Sequence, residues 1–136
     1  MADHYTQFSC TLDLQTPDNL AKAMEIFRPT EKSGAHDHGW FGFMACPSLD
    51  GGPGSLWLHD DGEGDVEELI EFVQHCGRTF GLTGRWGFQY ANTCSKPRID
   101  EFGGGAHVLD LATGETVGWL STDEWLAMTI KWGAEP

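Results

Sequence analysis

Residues 5 to 14 read Tyr-Thr-Gln-Phe-Ser-Cys-Thr-Leu-Asp-Leu and alternate without a break, with Phe8, Cys10, Leu12 and Leu14 on one side and Gln7, Ser9, Thr11 and Asp13 on the other. Successive side chains of an extended chain point to opposite faces, so this segment is a strand with one apolar face to bury. A lone strand cannot bury that face. It demands sheet neighbours and a covering layer, and the remaining sequence is read against that demand.

A cover follows at once. Thr16 offers a capping hydroxyl, Pro17 suits a first helical position, and Leu20, Ala23, Met24 and Phe27 recur at helical spacing up to Arg28-Pro29. Residues 30 to 39 are polar and aperiodic and read as a surface loop. Trp40 to Cys46 alternate aromatic and small residues as a strand, Pro47 to Gly54 form a turn, and Ser55 to His59 return as a second strand. Asp65 then caps a helix whose stripe is Val66, Leu69, Ile70, Val73 and Gly77, with Glu67, Glu68, Glu71 and Gln74 opposite.

Arg85 to Ala91 predict a strand with Trp86, Phe88 and Tyr90 on one face. Residues 92 to 105 show neither period and read as a long loop. His107 to Leu111 and Thr116 to Leu120 read as a hairpin, and Ser121 with Glu124 resembles a capping box opening a short last helix. The expected fold is a single α+β domain over residues 1–136. Its first six elements follow a ferredoxin-like split βαβ succession, βαββαβ, with a β-hairpin and a short C-terminal helix after them.

Charge narrows the partners. The chain has 8 Lys and Arg against 21 Asp and Glu, a formal net charge of -13, which would repel a polyphosphate before any contact formed. Direct nucleic-acid binding is therefore not expected. No apolar run reaches the roughly 18 residues needed to span a bilayer, so neither is a membrane partner. Cys10, Cys46, Cys76 and Cys94 lie far apart with no C-x-x-C pair and no secretory leader ahead of them, which predicts free thiols in a cytoplasmic protein.

Residues 60 to 71 concentrate the acid: Asp60, Asp61, Glu63, Asp65, Glu67, Glu68 and Glu71, with no basic residue among them. Acidic helix faces are common and often do no more than solvate a surface. A block this dense also imitates a run of phosphates, and such a surface would engage a basic protein or a nucleoprotein complex. A calcium loop fails on spacing, because loops begun at Asp60 or Asp61 put Asp65 or Val66 where the pattern needs glycine.

The second candidate is the segment from Asn92 to His107. Cys94, Ser95, Lys96, Arg98, Asp100 and His107 crowd it, and Gly103-Gly104-Gly105 would let backbone donors approach an anion closely. Its plainer reading pairs Arg98 with Asp100 or Glu101 to fix a loop. Cys94 and His107 would form a thiol and base pair if the fold brought them together, but no nucleophile signature surrounds Cys94, and no catalytic residue is assigned. His36, His38, His59, Asp60 and Asp61 include metal-ligating types at no known zinc spacing, so no metal and no cofactor is expected. Six tryptophans are mostly expected under the sheet, while Trp125 and Trp132 near the C-terminus suit a self-association or partner patch.

The stretch Trp86-Gly87-Phe88, Ala91, Thr93-Cys94-Ser95, Pro97-Arg98, then Phe102-Gly103-Gly104-Gly105-Ala106-His107-Val108, with Tyr5-Thr6, Phe8-Ser9-Cys10 and the Trp57-x-His59 strand, resembles a family of small acidic proteins of phages and mobile elements. The resemblance brings no activity and no catalytic residue with it. It implies an accessory protein that binds host or defence machinery, as anti-CRISPR proteins that mimic nucleic acid do. The expected function is thus a non-enzymatic acidic inhibitor that occupies the nucleic-acid channel of a basic host complex. A small enzyme or anion-binding domain using residues 92 to 107 is the alternative.

Overall fold

The computed structural model describes residues 4–27, 42–48, 50–60, 64–94 and 103–134. In chain order these form β1 (His4–Asp13), α1 (Pro17–Phe27), β2 (Met44–Pro47), β3 (Ser55–His59), α2 (Val66–Phe80), β4 (Arg85–Cys94), β5 (Gly103–Asp110), β6 (Thr116–Ser121) and α3 (Thr122–Ala134). The six strands make one sheet in the order β2-β3-β1-β4-β5-β6, and every neighbouring pair is antiparallel. Among the described residues, no helix is long and apolar enough to cross a membrane.

The alternation at the N-terminus organises the core. Phe8, Leu12 and Leu14 are buried, while Gln7, Ser9, Thr11 and Asp13 stay exposed on the opposite face. Leu58 lies beside Cys10 and Leu56 beside Leu12, and Trp86 and Phe88 extend the same apolar layer across β4. Helices α1 and α2 cover it with Ala23, Phe27, Leu69, Phe72, Val73 and Cys76. Phe27, Phe43 and Phe72 meet at ring-centroid distances of 5.1 to 5.8 Å, which ties both helices to the entry of β2.

Local chemistry sets the helix ends. Thr16 Oγ1 accepts from the Asn19 backbone N–H at 3.1 Å, so α1 starts where its capping hydroxyl stands. Asp65 caps α2 by accepting from Glu68 N, and Gly81 ends it at φ 63°, a left-handed conformation that glycine adopts without penalty.

Three sequence expectations change. The strand expected over Trp40 to Cys46 begins only at Met44, because Gly42 at φ 81° turns the chain so that its carbonyl accepts from Asp65 N at 2.9 Å. The 92 to 105 loop is strand at both ends: β4 runs to Cys94, paired with His4, and β5 starts at Gly103, paired with Asn92. Finally, a ferredoxin-like sheet would end at β4, whereas here β5 and β6 continue the same sheet beyond it. The architecture is α+β, with a six-stranded antiparallel sheet and three helices.

Candidate functional site

Helix α2 does not cover the sheet as far as β6. Between its first turn and the strands lies an open cleft of about 520 Å³. Thr6, Tyr90, Asn92, His107 and Trp119 line it from the sheet, and Gly64, Asp65, Val66, Glu67 and Ile70 line it from the helix and the turn before it.

Register explains how residues distant in sequence meet there. Thr6 stands opposite Asn92 in the β1–β4 pair, and its hydroxyl donates to Asn92 Oδ1 at 3.0 Å. His107 stands between Phe88 on β4 and Trp119 on β6, with ring centroids 6.2 and 5.5 Å away. Trp119 Nε1 donates to the Tyr90 hydroxyl at 3.1 Å, so the indole and the phenol form one aromatic wall. That wall is open to solvent, since Trp119 is 67% exposed.

His107 forms the floor and is only 4% exposed. Its Nε2 lies 2.9 Å from Thr116 Oγ1, whereas Nδ1 is buried with no hydrogen-bond partner among the described residues. Burial lowers its pKa below the ordinary value of 6.5, which keeps the ring neutral at pH 7. Among the described residues the lining is anionic: the carboxylates of Asp65 and Glu67 share it with the Tyr90 and Trp119 rings, and none of the described lining residues is Lys or Arg.

The acidic block divides on folding. Asp60 turns inward, where its Oδ1 accepts from the Phe8 backbone N–H at 3.0 Å, and Asp65 caps α2. Glu67 and Glu71 are exposed one turn apart, and Glu68 is half-buried. Asp61 and Glu63 lie outside the described residues. Helix α2 has a single Lys or Arg, Arg78, in its last turn, so its N-terminal half is uniformly acidic.

The 92 to 107 segment does not come together as one constellation. Cys94 is at the end of β4 opposite His4, and His107 is opposite Phe88, six residues back along β4 or about 20 Å at strand rise. The fold thus separates the proposed thiol from the proposed base. Ser95, Lys96, Arg98 and Asp100 lie outside the described residues. The three glycines are not a ligand cradle: a Cβ on Gly104 would overlap the Tyr90 carbonyl, and one on Gly105 the Leu120 carbonyl. They are buried strand residues kept small by close neighbours.

The remaining thiols and histidines fall into structural settings. Burial pushes the Cys10 and Cys76 thiols up to about 12, which leaves them protonated and unreactive at neutral pH. His59 Nδ1 donates to the Asp60 carbonyl at 2.8 Å, and its ring lies against Trp57 at 4.1 Å. His36 and His38 lie outside the described residues, and among those described no group of three His, Cys, Asp or Glu is placed to hold a metal ion. The expectation that most tryptophans fill the core is corrected. Of the four with described side chains, Trp86 is buried, whereas Trp57, Trp119 and Trp125 are exposed.

Asp65, Glu67 and His107 stand out in the sequence, but that they line one cleft does not. Thr6, Tyr90 and Trp119 carry no sequence signal that marks them as site residues, and Asn92 stands out only as the start of the 92 to 107 segment, because only the cross-strand register brings the four together. Fold and cleft define an α+β protein with an anionic, aromatic-walled cleft at one end of its sheet. Comparison with family models, curated proteins and solved structures gave no match.

Proposed function

We propose that this protein is a non-enzymatic binding protein whose acidic α2 surface and adjoining cleft engage a basic protein partner. The observation that carries this reading is the cleft itself, whose described lining joins the carboxylates of Asp65 and Glu67 with the Tyr90 and Trp119 rings and includes no described Lys or Arg. A guanidinium or ammonium group entering it would gain both charge complementarity and a cation–π contact. Such a contact contributes about 0.5–2 kcal/mol, depending on how far the cation is desolvated. Glu67 and Glu71 extend the negative potential along α2 and would steer a basic surface towards the cleft.

A partner that uses the same cations to hold nucleic acid would be inhibited by competition, which is the nucleic-acid mimicry expected from the acidic block and from the resemblance to mobile-element proteins. The four free cysteines suit action in the cytoplasm of a host cell. The enzyme alternative finds less support, since Cys94 and His107 stand far apart along the sheet. A ferredoxin-like βαββαβ succession for the β1 to β4 portion is also proposed. The strand order β2-β3-β1-β4, with α1 between β1 and β2 and α2 between β3 and β4, supports it.

The test is titration of the isotope-labelled protein with an arginine-rich peptide at low and high salt. The largest shifts are expected at the Trp119 indole and the amides of Asp65, Glu67 and Tyr90. Glu67→Gln with Glu71→Gln should weaken binding at least tenfold at low salt. Shifts scattered over all acidic surface, or binding insensitive to both substitutions, would refute the reading.

A further inference from the structure

Among the described residues, strand β6 ends the sheet with an unpaired edge, and helix α3 follows it with no break. The two edges of the sheet differ. At the far side β2 is four residues long and ends on Pro47, which lacks a backbone donor, so that edge is poorly suited to pairing. Strand β6 is Thr-Val-Gly-Trp-Leu-Ser: six residues with no charge and no proline. It lacks the charged residues and proline that blunt an edge; its one irregularity is the register shift that leaves Val117 without a partner between Thr116 and Gly118.

Helix α3 presents the complementary problem. Its side chains are exposed from Thr122 to Lys131, including Trp125, Leu126, Met128 and Ile130, the last at 64%. Near its start, Thr122 Oγ1 donates to the Gly104 carbonyl at 3.0 Å. A helix of this length is marginal in water without a packed face, so its apolar residues need a surface to lie against.

We infer that a second copy of this chain docks through the β6 edge and α3, forming a two-fold symmetric dimer. The amount of surface fits: Val117, Leu120 and the four apolar residues of α3 expose on the order of 600 Å² apart from Trp119, which stays in the cleft, and this is the lower end of the share a stable interface takes from each partner. Charge fits as well. Two chains of net charge -13 repel wherever their acidic faces meet, and the uncharged β6 edge lets them approach without placing like charges opposite each other.

Sedimentation equilibrium of the full chain tests this. The wild type is expected at about 30 kDa, twice its 15.0 kDa, at micromolar concentration. The dimer should tighten as salt screens the repulsion between the copies, which is opposite to the salt response of binding to a basic partner. Leu120→Glu with Ile130→Glu should return a 15.0 kDa monomer with an unchanged β-sheet circular dichroism signal, and Trp57→Ser on the open face of the sheet should leave the dimer intact. A wild type that stays monomeric at 100-fold higher concentration overturns the inference, as does a double variant that remains dimeric. Should the double variant unfold, cross-linking through Val117→Cys in a Cys46→Ser, Cys94→Ser background decides: a disulfide-linked dimer supports the β6 contact, and its absence under oxidation overturns it.

Discussion

Asp60, one residue past β3, holds the backbone N–H of Phe8 in β1 through its Oδ1 at 3.0 Å, while Asp60 N donates to the Phe8 carbonyl at 3.1 Å. The two residues close the β1–β3 ladder where β1 leaves β3 and continues along β4. One carboxylate of the acidic block is therefore a structural part of the sheet. Asp60→Ala is expected to lower stability by about 1–3 kcal/mol, the cost of a part-buried donor left without its acceptor. Glu67→Gln should stay within about 0.5 kcal/mol of the wild type, as exposed surface substitutions do. Urea denaturation of both variants is the check, and equal losses would remove the distinction between structural and surface acids.

His107 makes stability depend on pH in a definite direction. Burial lowers its folded pKa below 6.5, so the unfolded chain takes up a proton at a pH where the folded one does not. The contribution is complete above 6.5 and is lost as pH falls below it, until the folded ring is itself protonated. His107→Gln can keep a hydrogen bond to Thr116 and cannot titrate. Between pH 7 and pH 5 its melting temperature should fall less steeply than that of the wild type, and parallel curves would count against a neutral buried ring.

Gly105 faces the Leu120 carbonyl and the Tyr90 hydroxyl so closely that a methyl group has no room. Gly105→Ala should cost about 1–3 kcal/mol through displacement of β6 and the aromatic wall. Gly118, where an added Cβ meets nothing within 4 Å, serves as the control, and Gly118→Ala should leave the thermal midpoint unchanged or slightly raised. A reversed order would mean that β5 and β6 are not packed as described.

The thiols give a test of the core. With pKa values of about 12, Cys10 and Cys76 carry on the order of one thiolate in ten thousand at pH 8. In native protein they should react with an aromatic disulfide reagent only after denaturant is added. Immediate modification of all four cysteines would show that α2 does not seal the sheet.

Much of the fold was legible because it rests on local rules. The alternation from Phe8 to Leu14 marked β1 and its buried face, Thr16 with Pro17 marked the start of α1, and Asp65 marked the start of α2. The hairpin of β5 and β6 was also legible, although its length was not. Gly103 to Gly105 carry no side chain from which a period can be read, and they are strand because Asn92 to Tyr90 lie opposite them.

The sequence by itself determined the acidity, the order of the elements and the apolar face that each presents, because those follow from composition and from periods of 2 and 3.6 residues. Only the tertiary structure decided which acids remain at the surface, that Cys94 and His107 stay apart, and that Thr6, Tyr90, Asn92, His107 and Trp119 share one cleft. The reason is physical. Strand register is a long-range choice made by pairing across the sheet, and residues as far apart as Thr6 and Trp119 acquire a common face only when the strands between them are in place.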